Sequence, residues 1–488
     1  MKKINFDNFQ LLFLVINAAT LFLTIIGIST YKSFNFAPSV HFSITGLESD
    51  LIQLFSISKD IYSGLSIKDF SFGAASGFFL ERIFSLLFFP IIDTAEKHFF
   101  FFPIFRIVLI IFLLNYFFGK YISQNFLYSL NVLVLSFNVF NFVGFIFTTE
   151  FFFFLTRQYY ISFVHGLAFC YAIIAFAIFY ENKFKSNVFY VLYLFCIFLI
   201  TISFIIFAIY LGSFIFIYWL FNRDISIFIR SLKIALVCIA GIVFAFLINQ
   251  DNLIQFNNSS IGQASKNWFL ILKIYLLSIV PSVVIYFYNC YKKNKKEIFT
   301  YLFYGNLFYV TILCLIGMLN SAYDVRYICG TFLITVILFQ LTVGNFFHNK
   351  NFFVSFSIFF FLITSILLFT NYQKNNFGLV NRYSEEVKCV KNLDKTYTIV
   401  STYWPAKIVF ELTNRKHNLF QVNAIMKYRK WLYNPSWINV HKETSGMLIL
   451  INGLEMNTAL KLINLKENLQ GELICNNRIL KTKKTSFN

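Results

Sequence analysis

The sequence predicts a membrane all-α, polytopic fold of about eleven transmembrane helices, followed by a small C-terminal α/β or α+β unit outside the membrane. Three observations predict it. Of 488 residues, 58% are hydrophobic and only 13% are charged, and mean hydropathy is +0.67, a balance that excludes a soluble globular chain. Apolar runs of spanning length follow one another from residue 11 to residue 371. After about Asn371 the composition turns polar and no further span occurs. This gives two regions: 1–371, the transmembrane part, with a long first external loop at 31–98, and 372–488, the tail.

The first apolar run, Leu11 to Ile28, follows Met1-Lys2-Lys3 like a signal peptide, but it is long enough to span and no small-residue cleavage site follows. It is expected to be an uncleaved first helix. Further spans are predicted at 99–119, 126–147, 159–180, 187–204, 206–222, 231–249, 269–290, 298–319, 327–345 and 352–371. The run from Val188 to Phe221 is too long for one helix and is divided into a tight hairpin. With the N-terminus inside, alternate connections receive Lys120, Lys183, Lys185, Arg223, Arg230, Lys233, Lys292, Lys293, Lys295, Lys296 and Lys350. The opposite connections hold little beyond Arg157, Lys266 and Arg326. That is the positive-inside asymmetry, and an odd number of spans puts the first loop and the tail on the same external face. The net charge of +19 then belongs to inner loops and anionic lipid rather than to nucleic acid.

In the tail, strand-like runs occur at Tyr397 to Ser401, Lys407 to Leu412, Leu419 to Val422 and Met447 to Ile451, and helical patterns at Ala424 to Trp431 and Met456 to Leu465. Cys389 and Cys475 are the tail's two cysteines and can pair if it lies in an oxidising compartment. The other six lie in or beside spans, where Cys packs as a small apolar residue.

Chemistry concentrates in the first loop. Glu48 and Asp50 open an amphipathic stretch in which Leu51, Leu54, Phe55, Ile61 and Tyr62 fall at helical spacing, ending at Gly64. A second short helix is expected at Phe78-Phe79-Leu80-Glu81-Arg82. A helix lying along a bilayer surface can hold a carboxylate over a lipid-borne substrate. Lys59, Asp60, Lys68 and Asp69 are expected on its exposed polar face.

An acid in the first external loop, the run from Asp50 to Lys59-Asp60-Ile61-Tyr62-Ser63-Gly64, and Phe78-Phe79-Leu80-Glu81 together resemble the C-type integral-membrane glycosyltransferases (GT-C superfold), among them the dolichyl-phosphate-mannose-dependent protein mannosyltransferases. The resemblance covers the first 120 residues best. It implies transfer of a sugar from a polyprenyl-phosphate carrier at the periplasmic face of a bacterial inner membrane. Lipids and the carrier are then the expected partners. Such a transfer needs a base for the acceptor proton and cations or dipoles for the leaving phosphate. Asp50 is the expected base and Glu48 its alternative. Glu81 and Arg82 form either a local or lipid-headgroup ion pair or a substrate contact. Glu150, Arg157 and His165 flank the second external loop, where the family often places substrate contacts. Asp324-Val325-Arg326-Tyr327 resembles the family's late Arg-Tyr element, with Arg326 either binding phosphate or anchoring at the interface. Trp404 offers an aromatic face for a sugar, although Trp404, Trp431 and Trp437 equally suit a core.

No nucleotide-binding glycine loop and no His-Glu-x-x-His pattern is present. No cofactor is implied, and a divalent metal would have only Asp50 and scattered acids to bind it. The rival readings are a lipid or glycan transporter or flippase, a glycan polymerase or ligase, and a non-catalytic envelope assembly protein.

Overall fold

The computed structural model describes residues 6–30, 49–65, 81–146, 165–181, 186–248, 268–292, 296–315, 330–346, 350–373, 384–422, 426, 434–451, 454, 457–458 and 471–483. The protein is mostly helical with a small C-terminal sheet. A helix lies on each predicted apolar run: α1 (Phe6–Thr30), α4 (Ala95–Phe118), α5 (Phe126–Ile146), α6 (His165–Tyr180), α7 (Asn187–Ser203), α8 (Ile205–Asn222), α9 (Ile225–Ile248), α10 (Trp268–Tyr291), α11 (Glu297–Leu315), α12 (Gly330–Phe346) and α13 (Lys350–Gln373). The loop helices α2 (Ser49–Tyr62) and α3 (Glu81–Phe88) precede α4. Among the described residues, three stretches are long and apolar enough to cross a membrane by length and composition: Ile104–Tyr121, Ile205–Asn222 and Ile225–Ala245. Exposed apolar side chains run along α9 at Ile225, Ile229, Leu232, Leu236, Ile239 and Val243. Such helices mark a membrane-associated chain.

Side-chain contacts fix the helix directions. Asn131 and Asn138 of α5 donate to the carbonyls of Gln10 and Asn17 of α1, at 2.9 and 3.0 Å. Equal seven-residue steps on both helices make α1 and α5 parallel. Lys120 at the end of α4 pairs with Glu181 at the end of α6, and Tyr180 meets Glu297 at the start of α11. These ends, with Asn222 on Tyr301 and Tyr128 on the Gly344 carbonyl, share one end of the bundle. The starts of α4, α6 and α12 therefore share the other.

The division of the long run falls at Phe204, whose extended backbone (φ −146°, ψ 93°) separates α7 from α8. Tyr190 lies near Lys233 and Thr201 near Cys238, so α7 runs parallel to α9. The intervening α8 returns between them, and Trp219 meets Phe228 at its far end. The chain reverses at Phe204.

The tail opens with α14 (Ser384–Lys391) and builds a five-stranded sheet of order β2-β1-β3-β5-β4. Its strands are β1 (Thr398–Ser401), β2 (Asn418–Gln421), β3 (Met447–Leu450), β4 (Gly471–Ile474) and β5 (Ile479–Thr482). β1 pairs in parallel with β2 and β3, and β5 is antiparallel to β3 and β4. Between β1 and β2 the chain crosses over through α15 (Tyr403–Leu412), as parallel neighbours require. Residues 407–412, expected as a strand, belong to this helix. Val, Ile and Phe there suggested a strand, but every residue from Pro405 to Thr413 is buried, so no alternation or stripe marks the helix. The helical pattern expected at 424–431 falls almost wholly outside the described residues, as does most of that at 456–465. The β4–β5 hairpin was not anticipated; its turn passes through left-handed Cys475, Asn476 and Asn477, and the Asn pair is the signal for it.

Cys389 and Cys475 form a disulfide that ties α14 to the β4–β5 turn across 86 residues. Behind it, His417 is buried; its Nδ1 accepts from the Tyr397 amide at 3.1 Å and its Nε2 faces the Val390 carbonyl at 3.3 Å. Burial pushes this imidazole down to about 4, against the pull of the Val390 carbonyl.

Two outcomes are expected. Replacing both Cys389 and Cys475 by Ser lowers tail stability by about 2–5 kcal/mol, read by denaturant unfolding followed through Trp fluorescence; an unchanged midpoint contradicts it. The unfolded chain protonates His417 below about pH 6.5 while the fold keeps it neutral to about 4. This group's contribution therefore falls with pH through that window. The tail's midpoint should drop between pH 7 and 4.5, less steeply in His417→Gln, and equal slopes in the two proteins contradict the assignment.

Candidate functional site at the first-loop helix

α2 is gripped from two sides. At about 100° per residue, Leu54, Phe55 and Ser58 share one side of this helix, while Ser56 and Asp60 share the other. The first side meets α3 and α4. Ser58 Oγ lies 2.7 Å from Ser85 Oγ, Ser85 Oγ donates to the Leu54 carbonyl at 3.2 Å, and it lies 3.1 Å from His98 Nε2. Phe55 packs against Phe89 and His98, with centroids 5.6 and 5.8 Å apart. His98 stacks on Phe102 at 4.0 Å. Burial, with the Arg106 charge beside it, holds the His98 imidazole down to about 3, so it is neutral at physiological pH.

The second side meets the tail. Arg415 Nη1 pairs with Asp60 Oδ1. Its Nη2 donates to the Ser56 carbonyl at 3.0 Å and to Glu411 Oε1 at 2.8 Å, while its Nε donates to Glu411 Oε2 at 3.0 Å. Asp60 also accepts from Asn434 Nδ2 at 3.0 Å and from Trp437 Nε1 at 3.1 and 3.2 Å. The Arg415 guanidinium lies 5.3 Å from the Phe410 ring centroid and 5.5 Å from that of Trp437. Burial pushes the Glu411 carboxyl up, but the Arg415 charge and hydrogen bonds, joined by Lys59 and Ser56, outweigh it and hold the group below its ordinary value. Asp60 and Glu411 are each 1% exposed. The expectation of an exposed polar face is therefore corrected for Asp60, which is buried because the tail supplies a cation, an amide and an indole for it. Trp437 belongs to the core.

The arginine reaches these partners because α15 ends in two successive left-handed residues, Asn414 (φ 54°) and Arg415 (φ 58°). That backbone folds the guanidinium back along the helix to Glu411, one turn earlier. A non-glycine residue held so costs roughly 1–2 kcal/mol, which the hydrogen bonds offset.

The expected site residues distribute as follows. Asp50 lies in the first turn of α2, Glu81 opens α3, His165 opens α6 and Trp404 lies in the first turn of α15; their side chains fall outside the described residues. Glu48, Glu150, Arg157, Asp324, Arg326 and Tyr327 fall outside them altogether, as do Lys68, Asp69 and Trp431. Arg82 is 5% exposed and shares the buried face of α3 with Ser85. Two residues escaped notice: His98 and Arg106, on one face of α4 at four-residue steps with Phe102. Arg106 is 2% exposed inside the run predicted to span at 99–119, and an arginine amid such apolar sequence was the signal. At the same end of the bundle, Phe169 of α6 packs on Tyr210, which with Thr331 hydrogen-bonds Asn306. This brings the start of α6, where His165 lies, near the start of α12. Among the described residues, no group of three His, Cys, Asp or Glu side chains is placed to hold a metal ion.

Comparison with family models, with curated proteins and with solved structures found no match to this chain.

A double-mutant cycle at the Asp60–Arg415 pair, run in a Glu411→Gln background, is expected to show strong coupling. There Arg415→Met alone leaves the buried Asp60 carboxylate unpaired and costs about 3–5 kcal/mol, whereas Arg415→Met with Asp60→Asn costs much less. Additive losses in denaturant unfolding contradict a shared interaction.

Proposed function

We propose that the protein is an integral-membrane glycosyltransferase of the GT-C type, taking a sugar from a polyprenyl-phosphate carrier at the outer face of a bacterial inner membrane. The observation that supports it best is the setting of α2. A loop helix bearing Asp50 in its first turn is held between the tail and α3 and α4, which carry the buried Arg82, Arg106 and neutral His98, at one end of an apolar helical bundle. Asp50 takes the proton from the acceptor hydroxyl. The hydroxyl oxygen forms a bond to the sugar's anomeric carbon as the bond to the carrier phosphate breaks, inverting that centre. Positive charge from Arg82, Arg326 and the buried Arg106 favours the departing phosphate dianion. Neutral His98 hydrogen-bonds Ser85, so its ring orients α3 and α4 rather than adding charge.

The sidedness belongs to the same reading. Eleven spans with the N-terminus inside put the first loop and tail outside, and a disulfide in the tail suits an oxidising compartment. Reporter fusions after Lys185, Lys296 and Asn375 are expected inside, inside and outside; an inside signal for the last contradicts the arrangement. A flippase is the second reading, favoured by the amides Gln10, Asn17, Asn131 and Asn138 buried between α1 and α5.

The test uses purified protein in vesicles. A short-chain polyprenyl phosphate should bind the wild type, more weakly to Arg82→Ala and Arg326→Lys, and equally to Asp50→Asn. Transfer of sugar should fall about 100- to 10,000-fold in Asp50→Asn. Transfer within about threefold of wild type excludes Asp50 as the base. Donor translocation without transfer favours the flippase, and absence of binding contradicts both readings.

A further inference from the structure

We propose that Arg415 is a positioning residue: through Asp60 and the Ser56 carbonyl, the tail fixes the rotation of α2 and so sets where Asp50 stands over the bundle. The inference rests on the glycosyl-transfer reading for its consequence, but its geometry stands separately.

A buried ion pair contributes little net stability, because desolvation of both charges offsets their attraction, and a well-packed apolar pair serves a fold as well. Here two carboxylates, one guanidinium, an amide and an indole N–H occupy a site between segments more than 350 residues apart in the chain. The arrangement also keeps Asn414 and Arg415 in left-handed backbone. What such a cluster supplies and an apolar contact does not is direction. The planar guanidinium bonds two points of α2 one turn apart, the Ser56 carbonyl and the Asp60 carboxylate. The carboxylate's two oxygens are shared among Arg415, Asn434 and Trp437. Turning α2 by one residue, about 100°, breaks all of these contacts at once.

The opposite side of α2 meets α3 and α4 through Leu54 and Phe55 and through neutral hydrogen bonds, Ser58 with Ser85, Ser85 to the Leu54 carbonyl and Tyr62 to the Leu86 carbonyl. A charge-assisted bond is roughly twice as strong as a neutral one, so the tail's ion pair is the stronger hold on rotation. Asp50 lies one turn before Leu54 on the same helix, and its backbone moves with that rotation. A displacement of about 1 Å at a reacting group can cost on the order of 100-fold in rate.

The experiment measures position directly. A spin label at residue 50 and another at Lys97, which is exposed on α4, are placed in the full chain, with native cysteines outside the disulfide replaced by Ala. Their distance distribution in vesicles is expected to be narrow with Arg415 present and broad in Arg415→Met. Because that variant can lose stability, the decisive one combines Arg415→Met with Asp60→Asn and Glu411→Gln, which removes both carboxylates that Arg415 pairs with. It should melt near the parent yet show the broad distribution, and Arg415→Lys should be intermediate. In unlabelled protein this triple variant should lose on the order of 100-fold in kcat with donor KM unchanged. A narrow distribution in the triple variant overturns the proposal, and so does a broad one accompanied by wild-type kcat. If wild-type protein transfers no sugar, the glycosyl-transfer reading falls, and the distance distributions alone decide whether the tail sets α2.

Discussion

The bond between Arg415 and Asp60 is the constraint on which the arrangement at this end of the molecule depends. It joins the tail to the first loop, where the Lys59 charge also acts on Glu411. Its energetic character follows from its burial. An exposed pair of the same residues would be screened and worth little. Buried, each charge is costly alone, and the site tolerates them only because every strong donor and acceptor finds a partner: Glu411 balances the second half of the guanidinium, and Asn434 and Trp437 complete the carboxylate. The cluster is therefore all-or-none, which suits a device that holds one geometry.

The rest of the bundle has a different physical basis. Its helices are apolar nearly all round, and few ionisable side chains interrupt them, so packing and short polar clasps set their order. Asn131 and Asn138 repeat one contact seven residues apart and fix the register of α5 on α1. Gly305 allows α11 to approach α8 so closely that a Cβ would stand 2.4 Å from a carbon of the Phe214 ring. The ends of the helices then sort into two groups, one rich in Lys, Glu and Tyr contacts, the other carrying α2, α3 and the tail. A loop helix laid across the second group is pinned from below by α4 and from the side by α15.

Much of this was legible in the sequence. Each predicted apolar run carries a described helix, although among the described residues only three stretches are long and apolar enough to cross a membrane, and even the break near Phe204 followed from the length of the run. Strands β1, β2 and β3 were found from short apolar runs flanked by polar residues. The helix at 403–412 was not, since a segment buried on all sides loses the periodicity that distinguishes a helix. Asp60 was assigned to solvent because its partners lie hundreds of residues away, and no local pattern announces a contact of that range. Arg106 and His98 are hidden in the sequence beside Phe99 to Phe102, where the abundance of Phe masks the two residues that break the apolar monotony. Asp50 remains a candidate from sequence, now placed at the start of a helix whose other turns are tied down.

The central claim is that the tail rests on the first-loop helix in the intact protein. The most direct measurement places a photo-reactive amino acid at residue 59, beside the cluster, in protein kept in its native membrane, and identifies the cross-linked peptides by mass spectrometry. The account predicts cross-links to residues 403–422 of the same chain. Cross-links only to lipid or to α3 and α4, with none to the tail, would contradict it.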